Sequence, residues 1–264
     1  TWTMEVGARP AAAALAVLKR SGTLLLKPSD GTQGDGIFLV RSASDLERHC
    51  ARQTQPIVLQ RYLGDPMLLQ PGSLKFDIRL YGLILSCSPP RYFLCRDGLV
   101  RVCSEAYAHP STESGGTRAG RHLTNYSINK YEAGFEHNAD PHEGGKGTKR
   151  SLVPVLEFLE RHHGATTRAD DAGGAEAASG FVAEAAWAQI ESVVAHTLHA
   201  MASQLAGTAP TVDGLRGAEL WSPPREGSPL WANVTTAWDD ASWGAWREKC
   251  FHLLGVDVML DAAG

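Results

Sequence analysis

The chain has 264 residues, 43% hydrophobic and 20% charged, which excludes global disorder and is long enough for one large domain or two smaller ones. Its 25 Lys and Arg against 29 Asp and Glu leave a net charge of −4, which argues against nucleic acid as a partner, because that needs a basic footprint. No apolar run approaches the roughly 18 residues that cross a bilayer, so no membrane partner is expected; residues 11–18 are too short and wrongly flanked for a signal peptide.

Residues 10–20 read as a helix, with Pro10 near its start and Lys19 and Arg20 at its end. Residues 24–26 suit a buried strand and residues 37–40 its hairpin partner, the tip between them carrying Gly31, Gly34 and Gly36. Residues 44–50 predict a helix capped by Ser44, with Glu47 three residues on. Residues 57–63 form a strand ended by Gly64, Asp65 and Pro66, and residues 75–87 a central strand. Residues 92–95 and 99–103 are expected to pair as a hairpin across Arg96-Asp97-Gly98, since Asp-Gly is a strong turn signal.

The second half changes to helical spacing over residues 152–162 and 181–205. Val182, Ala186, Ile190, Val193, Val194, Leu198 and Met201 can share one face of the latter. Three stretches, 109–121, 165–180 and 207–241, read as inserted surface loops, the last patched to the body by Trp221, Trp231 and Trp238. Residues 250–260 form an apolar strand with Asp257 set in it and Asp261 after it. The five cysteines, Cys50, Cys87, Cys95, Cys103 and Cys250, show no CxxC pair and read as reduced thiols of an intracellular protein rather than as a zinc site.

Four segments carry chemistry. In Lys27 to Ile37 a lysine ends a strand and a glycine loop leads to the next, a pattern that brings backbone N–H groups and a point charge to phosphate; a plain hairpin tip reads equally well. Alternation along Lys75-Phe76-Asp77-Ile78-Arg79-Leu80-Tyr81 puts Lys75, Asp77, Arg79 and Tyr81 on one face, where they form an ion-pair ladder or grip a ligand. Arg79 is the sharper candidate, since a guanidinium fork fits a carboxylate. In His122 to Lys130 polar side chains cluster without amphipathic spacing, and a capped turn explains Thr124 or Asn125 singly. Asp257 within an apolar strand needs a cation or partners. His196 and His199, three apart on a helix, read as an incidental pair.

Taken in order, LLLKPSDGTQGDGI, VLQRYL, KFDIRLYGLI, DGLVRV, HLTNYSINK, GTKRSL and CFHLLGVDVMLD closely resemble the tubulin-tyrosine ligase-like family from about residue 24 to 261. The resemblance implies an α+β, ATP-grasp fold, two lobes of mixed or antiparallel sheets flanked by helices with a nucleotide between them. Residues 1–63 would belong to the central lobe and 64–264 to the C-terminal lobe with its inserts. It implies ATP and Mg²⁺ as cofactors. Lys27 would meet the phosphates, with Gln33, Gly34, Gly36 and Ile37 over the nucleotide. Gln60, Arg61, Tyr62 and Leu63 would edge the adenine, and Lys75, Asp77, Thr124 and Asn125 would make further nucleotide contacts. Arg79 would grip the carboxylate of the incoming amino acid, helped by Tyr126, Ser127 and Lys149. Asp257, or less favourably Asp261, would ligate Mg²⁺.

The activity implied is ATP-dependent addition of glutamate to tubulin through an acyl phosphate, with tubulin or microtubules and free glutamate as partners and the cytoplasm, cytoskeleton or cilium as location. A glycine or tyrosine ligase, a non-tubulin acceptor and an inactive microtubule-binding relative stay open. Three departures bear on this. Asp35 stands where the family commonly has a basic residue, and His196 where it often has Lys. The family's Glu-x-Asn metal ligands would fall after Gly264, so the 264 residues alone are expected to bind metal weakly and show little activity. Docking of acidic tubulin tails needs a basic surface, for which Arg118, Arg121, Lys146, Lys149 and Arg150 are candidates, with a solvated loop the alternative for the first two.

Overall fold

A computed structural model describes residues 1–6, 10, 12–87, 90–113, 118–138, 146–163, 181–208 and 252–262. The first of its two cores is built by β1 (Trp2–Met4), α1 (Ala12–Ser21), β2 (Leu24–Pro28), β3 (Phe38–Val40), α2 (Ala43–Arg52) and β4 (Ile57–Arg61). The strands form an antiparallel sheet in the order β1-β4-β2-β3. Period-2 alternation sends Leu24, Leu26, Val40 and Leu59 inward, where they meet Ala14 and Leu18 of α1 and Leu46 and Cys50 of α2. Helix α2 starts one residue earlier than its sequence suggests. Ser42, with extended backbone, is the cap and accepts from the Asp45 N–H at 3.1 Å, so Ser44 is already inside the first turn. Strand β4 ends at Arg61, and Tyr62 and Leu63 lead out of the sheet.

The second core is built on β5 (Leu68–Leu69), β6 (Leu74–Cys87), β7 (Pro90–Ala106), β8 (Lys149–Ser151) and β9 (His252–Val258). Strand β6 is central. It pairs with β7 on one side, and on the other with β5 near its start and β9 further along, while β8 adds to β7; all pairs are antiparallel. Phe76, Ile78 and Leu80 point to one face, covered by α5 (Leu152–His163) and α6 (Ala183–Thr208). The buried stripe of α6 is Ala186, Ile190, Val194, Leu198 and Ala202, joined by Trp187. Val182 and Val193, expected on that face, are 51% and 59% exposed; Val193 lies about 100° round the helix from Val194.

Two expectations fail for physical reasons. Strand β7 runs unbroken from Pro90 to Ala106, so Arg96-Asp97-Gly98 is no hairpin turn. The register slips there, from Leu80 opposite Gly98 to Gly82 opposite Leu94. Asp97 Oδ1 accepts from the Gly98 N–H at 2.7 Å, and a Cβ on Gly98 would stand 2.4 Å from the Arg79 carbonyl oxygen. The Asp-Gly pair therefore serves a bulge, where the backbones approach closely. Nor is the 109–121 stretch all surface: Pro110 and Gly120 are buried, in a 3₁₀ turn (Pro110–Thr112) and α3 (Ala119–His122). A further short helix, α4 (Tyr126–Asn129), follows. The expected loop 165–180, the tryptophans of the third loop and Cys250 lie outside the described residues; Cys50, Cys87, Cys95 and Cys103 are free thiols.

Candidate active site

The face of β6 opposite its helices carries Lys75, Asp77 and Arg79, and the neighbouring strands supply their partners. Asp77 stands across from Arg101 of β7, which stands across from Lys149 of β8; Arg79 stands across from Asp257 of β9. Asp77 is buried and takes Arg101 Nε at 2.9 Å, Arg101 Nη2, and the Thr124 hydroxyl at 2.8 Å. Arg79 engages both oxygens of Asp257 through Nε and Nη2, the latter at 3.0 Å, and Arg101 Nη2 reaches Asp257 Oδ2 at 2.7 Å. Partial burial works to raise the Asp257 carboxyl, but Arg79 and Arg101 outweigh it and hold the group below the ordinary carboxylate range. The ladder is thus real, though its rungs cross strands instead of running along one.

A cavity of about 420 Å³ opens between the two sheets. One wall is Lys27, Ile37 and the segment Gln60, Arg61, Tyr62 and Leu63; the other is Lys75, Asp77, Arg101, Thr124, Asn125 and Asp257. Lys75 is 3% exposed, and its ammonium donates to the Tyr62 hydroxyl and the His122 carbonyl, both at 2.9 Å. Burial lowers its pKa to about 8. Burial also lowers Lys27, with Asp257 partly offsetting the effect. Two ammonium groups from different lobes therefore face one space, where a polyanion would neutralise them.

The glycine hairpin leans on α4. Ser127 Oγ donates to the Gln33 carbonyl, and Gly34, at φ +89°, leaves room that a Cβ would lose to Ile128 at 2.8 Å. Gly36 turns beside Pro28, and Asp35 is exposed. Tyr126 lies under the Lys149 ammonium, 3.8 Å from ring centre, and both are exposed. Neither lines the cavity, and Arg79 touches it only through Asp257. Asp261 lies in a neighbouring hollow with Asp65. His196, on the helix behind the sheet, is exposed and bonded to the Ser192 carbonyl at 2.6 Å. Of the basic candidates, Arg118 and Arg121 bind Glu105 at 3.2 and 3.0 Å, and Arg150 is buried on the Gly147 carbonyl at 2.9 Å. Of that set, Arg118, Lys146 and Lys149 are exposed.

Arg101 and the pair His122 and Glu113 escaped the sequence reading as site residues. Arg101 had a signal, a lone charge between Val100 and Val102 in a buried strand, but its meaning needed the register that sets it opposite Asp77. The residues present suit a nucleotide: two cations, a cradle between sheets and a strand-end segment along one edge. For Mg²⁺ the donor set is narrower. Among the described residues no three His, Cys, Asp or Glu groups converge. Asp257 offers one half-exposed carboxylate shared with two guanidinium groups. That suits an ion arriving with phosphate oxygens of its own and does not suit a protein-only metal site.

A family model described as "Tubulin-tyrosine ligase family" matches residues 9–168. The chain is 34% identical over 243 residues to tubulin polyglutamylase TTLL7 of Mus musculus, covering 92% of this chain and 21% of that protein. It is 41% identical over 141 residues to tubulin polyglutamylase TTLL7 of Xenopus tropicalis, covering 53% of this chain and 14% of the relative. Over 131 residues it is 40% identical to tubulin polyglutamylase TTLL11 of Homo sapiens, 50% of this chain and 18% of the relative. The chain therefore spans about a seventh to a fifth of the length of these relatives.

Proposed function

We propose that this chain, which belongs to the tubulin-tyrosine ligase family, carries the ATP-binding and ligase site of a tubulin polyglutamylase. The observation that carries the reading is the cavity between two sheets into which Lys27 and Lys75 enter from opposite sheets, with Asp257, itself paired to Arg79, in its lining. An ionised carboxylate is a poor electrophile. Its oxygen attacks the γ-phosphorus of ATP, the bond to ADP breaks, and an acyl phosphate forms. The amine of the incoming glutamate then attacks the carbonyl carbon, phosphate leaves, and the nitrogen loses a proton as the amide forms.

Each residue has work in this scheme. Lys27 and Lys75 hold the phosphates by charge, and the glycine hairpin, resting on Ser127 and reaching the cavity lining at Ile37, would cover them with Gln33, Gly34 and Gly36. Backbone groups of residues 60–63 edge the base. Arg101 fixes Asp77 and steadies Asp257. Asp257 would hold Mg²⁺ brought by the nucleotide, an ion that supplies charge neutralisation on the phosphates when bound. Arg79 would take the carboxylate of the glutamate by exchanging it for the Asp257 carboxylate it now holds, with Tyr126, Ser127 and Lys149 as further contacts from outside the cavity lining. Asp35, exposed at the hairpin tip, stands clear of the cavity lining. A tubulin acceptor places the activity on the cytoskeleton, and the names of relatives that modify tubulin support that acceptor.

The test is incorporation of labelled Glu, Gly or Tyr into tubulin by the full-length protein. ATP-dependent labelling from Glu is expected. Labelling from Gly alone would overturn the choice of amino acid, ATP-independent labelling would overturn the ATP-dependent scheme, and absent labelling would overturn the ligase reading in favour of a binding-only relative.

A further inference from the structure

Behind Lys75 runs a buried chain of polar groups that the scheme above does not use. The Lys75 ammonium donates to the Tyr62 hydroxyl at 2.9 Å. That oxygen lies 2.8 Å from His122 Nδ1, and His122 Nε2 lies 3.1 Å from Glu113 Oε2. The His122 side chain is 0% exposed and that of Glu113 5%. The rings of Tyr62 and Tyr107 meet His122 edge-on at 5.7 and 5.6 Å. Arg41, just after β3 in the other lobe, donates to the carbonyls of Pro110 at 3.1 Å and Glu113 at 2.9 Å.

The Glu113 carboxylate, which can only accept, sets the direction of this chain. An ammonium only donates, so Tyr62 accepts from Lys75 and has its own proton to give, to His122 Nδ1 or to the neighbouring Tyr107 hydroxyl. His122 carries its proton on Nε2, facing the Glu113 carboxylate, and its Nδ1 accepts from Tyr62. The other tautomer would set a bare Nε2 lone pair against the Glu113 carboxylate in a dry place, which is costly. A buried imidazole–carboxylate pair is a poor means of stabilising a fold, since apolar residues of similar volume do as well or better. Glu113 is also not fully satisfied: Oε1 has no hydrogen-bond partner, and Arg121 Nη1 stands 3.5 Å away. What the arrangement does achieve is a fixed direction for one ammonium group.

We propose that His122, gripped by Glu113, is the positioning residue that aims Lys75 into the cavity through the Tyr62 hydroxyl, and that Arg41 ties this relay to the opposite lobe. The inference deepens the proposed function, because it takes Lys75 as a phosphate contact, but it makes a separate claim about Lys75 itself.

Two readouts on the full-length protein test it. The first, free of nucleotide, is the pH profile of Lys75 reductive methylation, followed residue by residue by mass spectrometry. His122→Leu and Glu113→Ala are expected to destabilise the ammonium and speed its labelling near neutral pH about three- to tenfold. Glu113→Gln keeps an acceptor for Nε2–H and is expected to retain the parent profile. The other titratable groups facing Lys75, namely Asp77, Cys103 and Lys27, are unchanged in these variants. The second readout is ATP affinity by calorimetry. His122→Leu and Tyr62→Phe are each expected to weaken binding about tenfold, and the double variant no more than either single one. A parent protein that binds no ATP would overturn the proposed function while the methylation profile still decides the relay. Lower melting temperatures with an unchanged Lys75 profile, or additive losses in the double variant, would overturn the relay. If His122→Leu does not fold, Glu113→Ala against Glu113→Gln decides: identical profiles refute it.

Discussion

Replacing Arg101 by methionine (Arg101→Met) tests whether the charged row across β9, β6, β7 and β8 holds the second lobe together. Arg101 is 14% exposed and Asp77 7%, and the guanidinium makes a two-pronged contact with Asp77 while also reaching Asp257. Without it Asp77 keeps the Thr124 hydroxyl, too little for an ionised carboxylate in a nearly dry strand face. Breaking one partner of such a pair costs about 3–5 kcal/mol. Asp257 adds little to that figure, because it is 44% exposed and water screens it. Against a total stability of about 5–15 kcal/mol the loss is large. Guanidinium denaturation followed by the fluorescence of Trp187, which packs in the core behind this sheet, measures it. Asp77→Asn on the Arg101→Met background removes the stranded charge and is expected to recover about half of the loss. A loss below about 1 kcal/mol, or a double variant as unstable as the sum of the singles, would refute the reasoning.

Affinity for ATP is expected to fall as pH rises through about 8, because Lys75 titrates there and above that pH its amine is neutral; calorimetry from pH 6.5 to 9 checks it, and a flat profile would count against Lys75 as a phosphate contact. The linked effect on folding has the opposite sense. The unfolded amine keeps its proton to a higher pH, so stability rises with pH between about 8 and the ordinary lysine value near 10.4. Magnesium alone is expected to give no saturable signal with the chain until ATP is added, since Asp257 shares its oxygens with two arginines; tight binding of the free ion would contradict a nucleotide-borne metal. Gly34→Ala puts a side chain at φ +89° and 2.8 Å from Ile128. It is expected to cost about 1–2 kcal/mol and to lift the hairpin from α4, read as weaker ATP binding with the second core's denaturation midpoint unchanged.

Strands and their inward faces were legible because period-2 alternation survives wherever one face is buried, as in Leu24 and Leu26 or Phe76, Ile78 and Leu80. Local signals misled where tertiary register outranked them. Asp97-Gly98 has the composition of a hairpin turn, yet the close approach of the Arg79 carbonyl uses the glycine for a bulge inside one long strand. Ser44 looked like a cap, but Ser42 has the extended backbone that capping requires. The short helices of residues 110–129 left no amphipathic trace because each is about one turn long, too short for a period of 3.6 to repeat.

The site was legible in its residue types and not in its pairings. Asp257 and Arg79 each stood out as charges that needed a partner, but they are 178 positions apart, and only the β6–β9 register joins them. The same holds for Asp77 and Arg101, and for His122 with Glu113 on a stretch that read as surface loop. This has a physical cause. A buried charge announces itself locally, because an apolar strand makes it costly. Its compensation comes from whichever element the sheet order brings alongside, and that order is a property of the whole chain. The row Asp77–Arg101–Lys149 shows the same rule at work: strand pairing neutralises the inner charges, and the outermost, Lys149, is left exposed over the Tyr126 ring.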